Sequence, residues 1–175
     1  MKPTRTIAVL ALLTTAIAAY AAKKNAVTPE VYKAQDPKRA AESLLTLARA
    51  QAAGGTWERI AVGRVLYLTG KKTEGQAILD EVLAGKKVEA SDWIRVARVY
   101  EEAKEWDKAK PLFDKVIAMA PKDEDWHAEI GAYYLLHGDR AKAEELFARS
   151  FELDPENLYN TLRAAGAYSG LEPRE

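Results

Sequence analysis

The side chains able to do chemistry are few and badly placed to do it together. The chain holds two histidines and no cysteine. His127 and His137 stand ten residues apart, which on one helix points them in different directions. Without a thiol to complete a set, they make no zinc site, and His127 is expected to pack inside its own hairpin. Glu101, Glu102 and Glu105 are close enough for acid–base work, but acids clustered on a helix surface read as a solvated face. Ser91 precedes Asp92 near a helix start and fits a cap better than a nucleophile. No glycine-rich phosphate loop follows a strand, because no segment reads as one. No catalytic, cofactor-binding or metal-binding residue is therefore assigned. What remains is Arg64 and Arg98, 34 residues apart, with Trp57 and Tyr67 near the first. Arginine forks suit carboxylates, and rigid aromatic rings supply apolar contact.

The interval that relates the two arginines runs through the chain. Starting at residues 56, 90 and 124, small or apolar residues recur in step: Gly63, Ala97 and Gly131, then Leu66, Tyr100 and Tyr134. The second half of each unit repeats Gly75, Ala109 and Ala143, then Leu79, Phe113 and Phe147, then Val82, Val116 and Ser150. Pro121 and Pro155 close two of the units, and a further start at Leu158 is in phase, with Ala164, Ala165 and Tyr168 in the same columns. Within each unit the apolar positions fall three or four apart, so each half is a helix with one buried face. In residues 124–157 the first helix buries Ile130, Gly131 and Tyr134, and the second Ala143, Leu146, Phe147 and Ser150. Gly131 and Ala143 are small because two backbones meet there. Gly138 can end one helix in the left-handed conformation and Asp139 can cap the next. A fixed period of this size in a helical pattern means a stacked-repeat solenoid.

The unit EDWHAEIGAYYLLHGDRAKAEELFARSFELDPEN resembles a tetratricopeptide repeat, from Trp126, Ile130, Gly131 and Tyr134 through Ala143 and Phe147 to LDPEN at 153–157. The second unit matches through Trp93, Tyr100, Ala109, Phe113 and Pro121. The first departs, with Gly75 for alanine, Leu79 for an aromatic and Lys87 for proline. Upstream, Ala41, Leu45 and Ala48 resemble the second helix of a half-repeat. The resemblance implies an all-α, right-handed solenoid of antiparallel helix pairs over residues 37–175, with repeats at 56–89, 90–123 and 124–157 and a terminal helix at 158–169. It also implies a concave groove lined by the first helix of each unit. The register places Trp57, Ile60, Arg64 and Tyr67 there, then Ser91, Ile94, Arg95, Arg98 and Glu101, then Asp125, Ala128, Ala132 and Leu135, and last Tyr159, Leu162 and Arg163. One variety of the family grips the terminal carboxylate of chaperone tails with lysine and asparagine in these columns. Here the places hold Ile60, Ala61, Arg64, Ile94, Arg95 and Arg98, so that clamp is absent. Arg64 and Arg98 either meet a carboxylate of a peptide partner or pair with local acids such as Glu58, Glu101 or Glu102.

Composition bounds the partner. Twenty-six basic residues balance 26 acidic ones and the formal charge is zero. That argues against nucleic acid, whose binding depends on neutralising phosphates. Lys71 and Lys72, and Lys86 and Lys87, fall in turns and read as solvated charges. A protein or peptide partner, acidic if the arginines contact it, is the expectation, with a small ligand or cell-wall fragment as the alternative.

The start of the chain stands outside the repeats. Lys2 and Arg5 precede an apolar run at 7–19 and the small residues Ala19 and Ala21 on either side of Tyr20, the pattern of a secretory signal. The run is shorter than the roughly 20 residues a spanning helix needs, so a retained membrane anchor is the alternative. No cysteine follows for lipid attachment. Residues 1–21 read as a signal peptide of a bacterial protein bound for the periplasm, and 22–36 as a linker. Removing 1–21 leaves 24 basic against 26 acidic residues, and an exported chain without cysteine uses no disulfide. The terminal helix lacks the second helix that would cover it, so Leu162, Ala165, Gly166 and Tyr168 are expected on its outer side. They would form a surface for self-association or for a partner's helix.

Overall fold

Regular structure in the computed structural model, which describes residues 25–52 and 54–173, is entirely helical. The expected signal peptide lies outside the described residues. The chain divides into two compact units with the boundary between Val62 and Gly63.

In the first unit, α1 (Pro29–Tyr32) is a single helical turn within the stretch read as a linker, and it packs against α2 (Pro37–Gln51). Pro29 opens α1 where its missing donor costs nothing. Asp36 caps α2, its Oδ1 accepting from the backbone N–H groups of Lys38 at 3.0 Å and Arg39 at 3.2 Å, with Pro37 in the first turn. The half-repeat columns do not form a buried face: no residue of α2 is buried, Ala41 is exposed, and Leu45 and Ala48 are half-buried. Helix α3 (Thr56–Leu68) begins in this unit and crosses the boundary.

The second unit holds the rest of α3, then α4 (Lys72–Leu83), α5 (Ala90–Glu102), α6 (Trp106–Met119), α7 (Glu124–Leu136), α8 (Arg140–Leu153) and α9 (Leu158–Tyr168). The first helices begin at Thr56, Ala90, Glu124 and Leu158, each 34 residues after the last. Helix α5 pairs with α6 and α7 with α8, α9 lies on α7, and narrower contacts of α4 with α5 and of α6 with α7 join successive hairpins.

The turn inside each hairpin repeats at the level of single hydrogen bonds. Gly70, Lys104 and Gly138 occupy the same place at φ +91°, +60° and +86°. In each turn the following N–H reaches back to the first helix: Lys71 to the Leu66 carbonyl at 3.0 Å, Glu105 to Tyr100 at 2.8 Å, Asp139 to Tyr134 at 3.0 Å. This is the six-to-one closure that a left-handed residue permits. Glycine takes that conformation freely, whereas Lys104 holds it at a cost of about 1 kcal/mol. Asp139 then caps α8, accepting from the Lys142 N–H at 3.1 Å.

Small residues set how closely the hairpin helices approach. A Cβ on Gly131 would sit 2.9 Å from the Phe147 ring and 3.2 Å from the Ala143 carbonyl oxygen. In the first hairpin the approach is tighter: a Cβ on Gly75 would lie 2.5 Å from the Tyr67 nitrogen and 2.7 Å from the Gly63 carbonyl oxygen. Glycine in place of the family's alanine is thus what lets α3 and α4 meet backbone to backbone. Ala97 and Ala109 are fully buried in the middle hairpin. Ile130, Gly131 and Tyr134 of α7, and Ala143, Leu146, Phe147 and Ser150 of α8, are all buried as the periodicity requires. Residues 127–134 of α7 are buried without a break, the mark of a helix covered on every side. Pro111 lies inside α6 without interrupting it.

Candidate functional site

The first helices stand side by side, and each neighbouring pair in the second unit is joined by one arginine and one carboxylate. Arg64 of α3 meets Glu102 of α5, with Nε to Oε2 at 2.6 Å. Arg98 of α5 grips Glu129 of α7 through Nε and Nη2, both at 2.6 Å. Arg163 of α9 reaches back to Asp125 of α7 at 2.9 Å and to the side-chain oxygen of Asn160 at 2.7 Å. The local-acid alternative is therefore realised for both arginines of the column. Both acids come from the next unit: Glu102, one of those considered, for Arg64, and Glu129, not among them, for Arg98. Glu129 escaped the sequence reading because its partner lies 31 residues away; its position on an otherwise apolar helix face was the available signal.

Several expected groove residues belong to the interior instead. Ile94 is 2% exposed and Glu101 5%, so neither presents a surface to a partner. Helix α5 packs on α6 and more narrowly on α4, and Arg64 and Arg98 tie it to the first helices on either side. Glu101 is held by His137, whose Nε2 lies 2.9 and 3.0 Å from the two carboxylate oxygens while its ring stacks on Trp106 at 4.1 Å. The other histidine is buried as expected, with Nδ1 2.7 Å from the Asp123 carbonyl oxygen. Tyr67 is also buried, and its hydroxyl donates to Glu105 at 2.6 Å. Glu105 in turn pairs with Lys72 and, at 2.9 Å, with Lys108. The Lys72 ammonium first, then the Tyr67 hydroxyl, hold the Glu105 carboxyl down to about 2. Ser91 is not a cap: Asp92 accepts the Glu89 N–H at 3.0 Å, and the Ser91 hydroxyl is buried without a hydrogen-bond partner.

The remaining expected residues are open to contact. Arg95 and Leu135 are half-buried and Asp125 is exposed. Trp57, in the first unit, is 53% exposed. On α9, Tyr159 is 72% and Leu162 57% exposed. Together with Arg163 these side chains form one wall of a groove of about 290 Å³, and residues 171–173 form the other. The chain reaches that position by reversing at Gly170 (φ +80°), where the Leu171 N–H bonds the Gly166 carbonyl oxygen at 2.9 Å. Glu172 then meets Lys104, Oε1 to Nζ at 2.5 Å. Of the outer side expected for α9, Leu162, Ala165 and Tyr168 are exposed and Gly166 is half-buried. Tyr168 also leans on Phe147 and donates to Glu144 at 3.0 Å.

Among the described residues no three His, Asp or Glu side chains are grouped to hold a metal ion, and no helix is long and apolar enough to cross a membrane. The surface offers aromatic and aliphatic contact beside internally matched charge.

No family model matches the chain, and no curated relative does. Among solved structures, the chain is similar to YrrB, described as a TPR protein with an unusual peptide-binding site. The TM-score is 0.50 at 16% identity, and the match covers 75% of this chain and 68% of that one. The fold is thus that of the tetratricopeptide-repeat solenoids, an array of antiparallel helix pairs.

Proposed function

We infer that this chain is a non-enzymatic interaction scaffold that holds a peptide or partner segment along the row of its first helices. The observation that carries the reading is the groove on α9, where Tyr159 and Leu162 stand exposed beside Arg163 in a unit whose other large apolar residues on the first helices are mostly buried. A cleft with rigid aromatic and aliphatic walls and a cation at its side is a peptide site rather than a catalytic one. The likeness to YrrB supports the same reading at the level of fold. Because Arg64, Arg98 and Arg163 each already hold a carboxylate, any preference for acidic partners rests on other cations.

Selection of a random peptide library on the purified protein tests this. Recovered peptides should bind saturably and lose at least tenfold in affinity on Tyr159→Ala, while Lys142→Ala on the second-helix side changes nothing. Selected peptides indifferent to Tyr159, or no selection at all, would overturn it.

The envelope is the proposed location, on the strength of Lys2, Arg5, the apolar run at 7–19 and the small residues that follow. Intact mass of protein from a periplasmic fraction should show cleavage near Ala21 or Ala22. A membrane-bound species retaining Met1 would favour an anchored subunit instead.

A further inference from the structure

Residues 171–173 are placed as a ligand would be. After the reversal at Gly170 the chain turns back over the first helices, and Leu171 comes to rest against α9 where Gly166 has no side chain. A Cβ built on Gly166 would lie 3.7 Å from the Leu171 Cβ. Glu172 continues across to Lys104 at the end of α5, 68 residues earlier in the chain. Two consecutive residues, one apolar and one acidic, thus reach from α9 to Lys104 in the turn after α5 and, with Pro173, line one side of the groove.

The hold is weak. Leu171 is 64% exposed, and the side chains of Lys104 and Glu172 are 67% and 47% exposed. Exposed ion pairs of this kind contribute little. A segment tethered a few residues from its site nevertheless experiences an effective concentration of about millimolar, so weak contacts suffice to occupy it, and a better ligand displaces it.

We propose that the surface beneath residues 171–173, from α9 to the turn after α5, recognises an extended peptide in which an apolar residue is followed directly by a carboxylate, the apolar side chain beside Gly166 and Leu162 and the carboxylate on Lys104. Leu171 and Glu172 occupy that site in cis and compete with the partner. The proposal rests on the scaffold reading and names the chemistry of its ligand.

The probe is a fluorescein-labelled hexapeptide, Ser-Gly-Leu-Glu-Pro-Arg, titrated by anisotropy against the full chain and its variants. The Leu171→Ser, Glu172→Lys double variant, both changes at exposed positions, should bind the probe at least fivefold more tightly than the unaltered chain. Serine for leucine in the probe should abolish binding. Lys104→Glu introduced into the double variant should abolish it too, and a probe with lysine for glutamate should restore it, a rescue that unfolding cannot mimic. A groove that takes library-selected peptides but shows no gain on the tail variant, or no charge-swap rescue, would overturn the proposal and leave the scaffold reading intact. If neither probe nor library peptides bind any form, both fall.

Discussion

Arg98 and Glu129 face each other through two parallel N–H···O bonds of 2.6 Å, with the glutamate side chain 6% and the arginine 24% exposed. Because they sit on successive first helices, the pair fixes one repeat against the next. Truncating the arginine strands a desolvated carboxylate, and stranding is the expensive event. Arg98→Ala should lower stability by about 2–3 kcal/mol, below the figure for a fully buried pair because the arginine keeps some contact with water. Arg64→Ala, on a pair with both members more than 40% exposed, should cost less than about 1 kcal/mol. Urea unfolding of the two variants checks the order; equal costs would contradict it.

The second expectation concerns Gly75. Alanine is the better helix former by about 1 kcal/mol and is the family's usual residue here. Yet its Cβ would fall 2.5 Å from the Tyr67 backbone nitrogen, and backbone cannot move aside as a side-chain tip can. Gly75→Ala should therefore destabilise the chain, by about 1–3 kcal/mol. Gly131→Leu and Ala143→Leu should act in the same direction in the third hairpin, while Lys142→Ala does little. Circular dichroism melts decide this, and a Gly75→Ala variant at least as stable as the parent would refute the close approach.

The third expectation reverses the usual sign of a glycine substitution in a structured segment. Lys104 holds φ +60° where both equivalent positions carry glycine. Lys104→Gly should relieve that strain and raise stability by about 0.5–1 kcal/mol, the lost ion pair to Glu172 being too exposed to offset it. A lower unfolding midpoint would show that the ion pair outweighs the strain.

The fourth follows from Glu105, whose carboxyl is held at about 2 against an ordinary 4.5. Above 4.5 the group is charged in both folded and unfolded chains and its contribution is complete. As pH falls from 4.5 towards 2 the unfolded chain takes up the proton first, so the contribution is progressively lost. Glu105→Gln should be less stable than the parent at pH 7, and the difference should shrink as pH falls to 2.5. Urea midpoints at pH 7, 4 and 2.5 measure it; a gap independent of pH would mean that the ion pairs with Lys72 and Lys108 do not stabilise the fold.

What the sequence made legible was whatever repeats. The helix starts at Thr56, Ala90, Glu124 and Leu158, the small pairs at the crossings and the Gly138 and Asp139 turn follow from columns that can be compared with one another. Lys104 in the column of Gly70 and Gly138 went unread, although a lysine among glycines marks a strained turn. The register also assigned faces, but a face is wider than the strip that stays open once neighbouring helices have packed on it, and so Ile94 and Glu101 were placed in a groove and lie in the interior. Glu129 and Glu172 find their partners 31 and 68 residues away, across helices whose spacing no column records. Gly75 was taken as a weakening of the motif because a departure from a pattern does not show which neighbour requires it.

Chemical-shift mapping tests the central claim, that the row of first helices is the binding surface, most directly. On adding a library-selected peptide to the isotopically labelled protein, the backbone amides of Tyr159, Leu162, Arg163 and Lys104, together with Leu171 and Glu172, should shift in a saturable manner. Those of Lys110 and Lys142 on the second helices should stay in place. Perturbations confined to α6 and α8 would contradict the account.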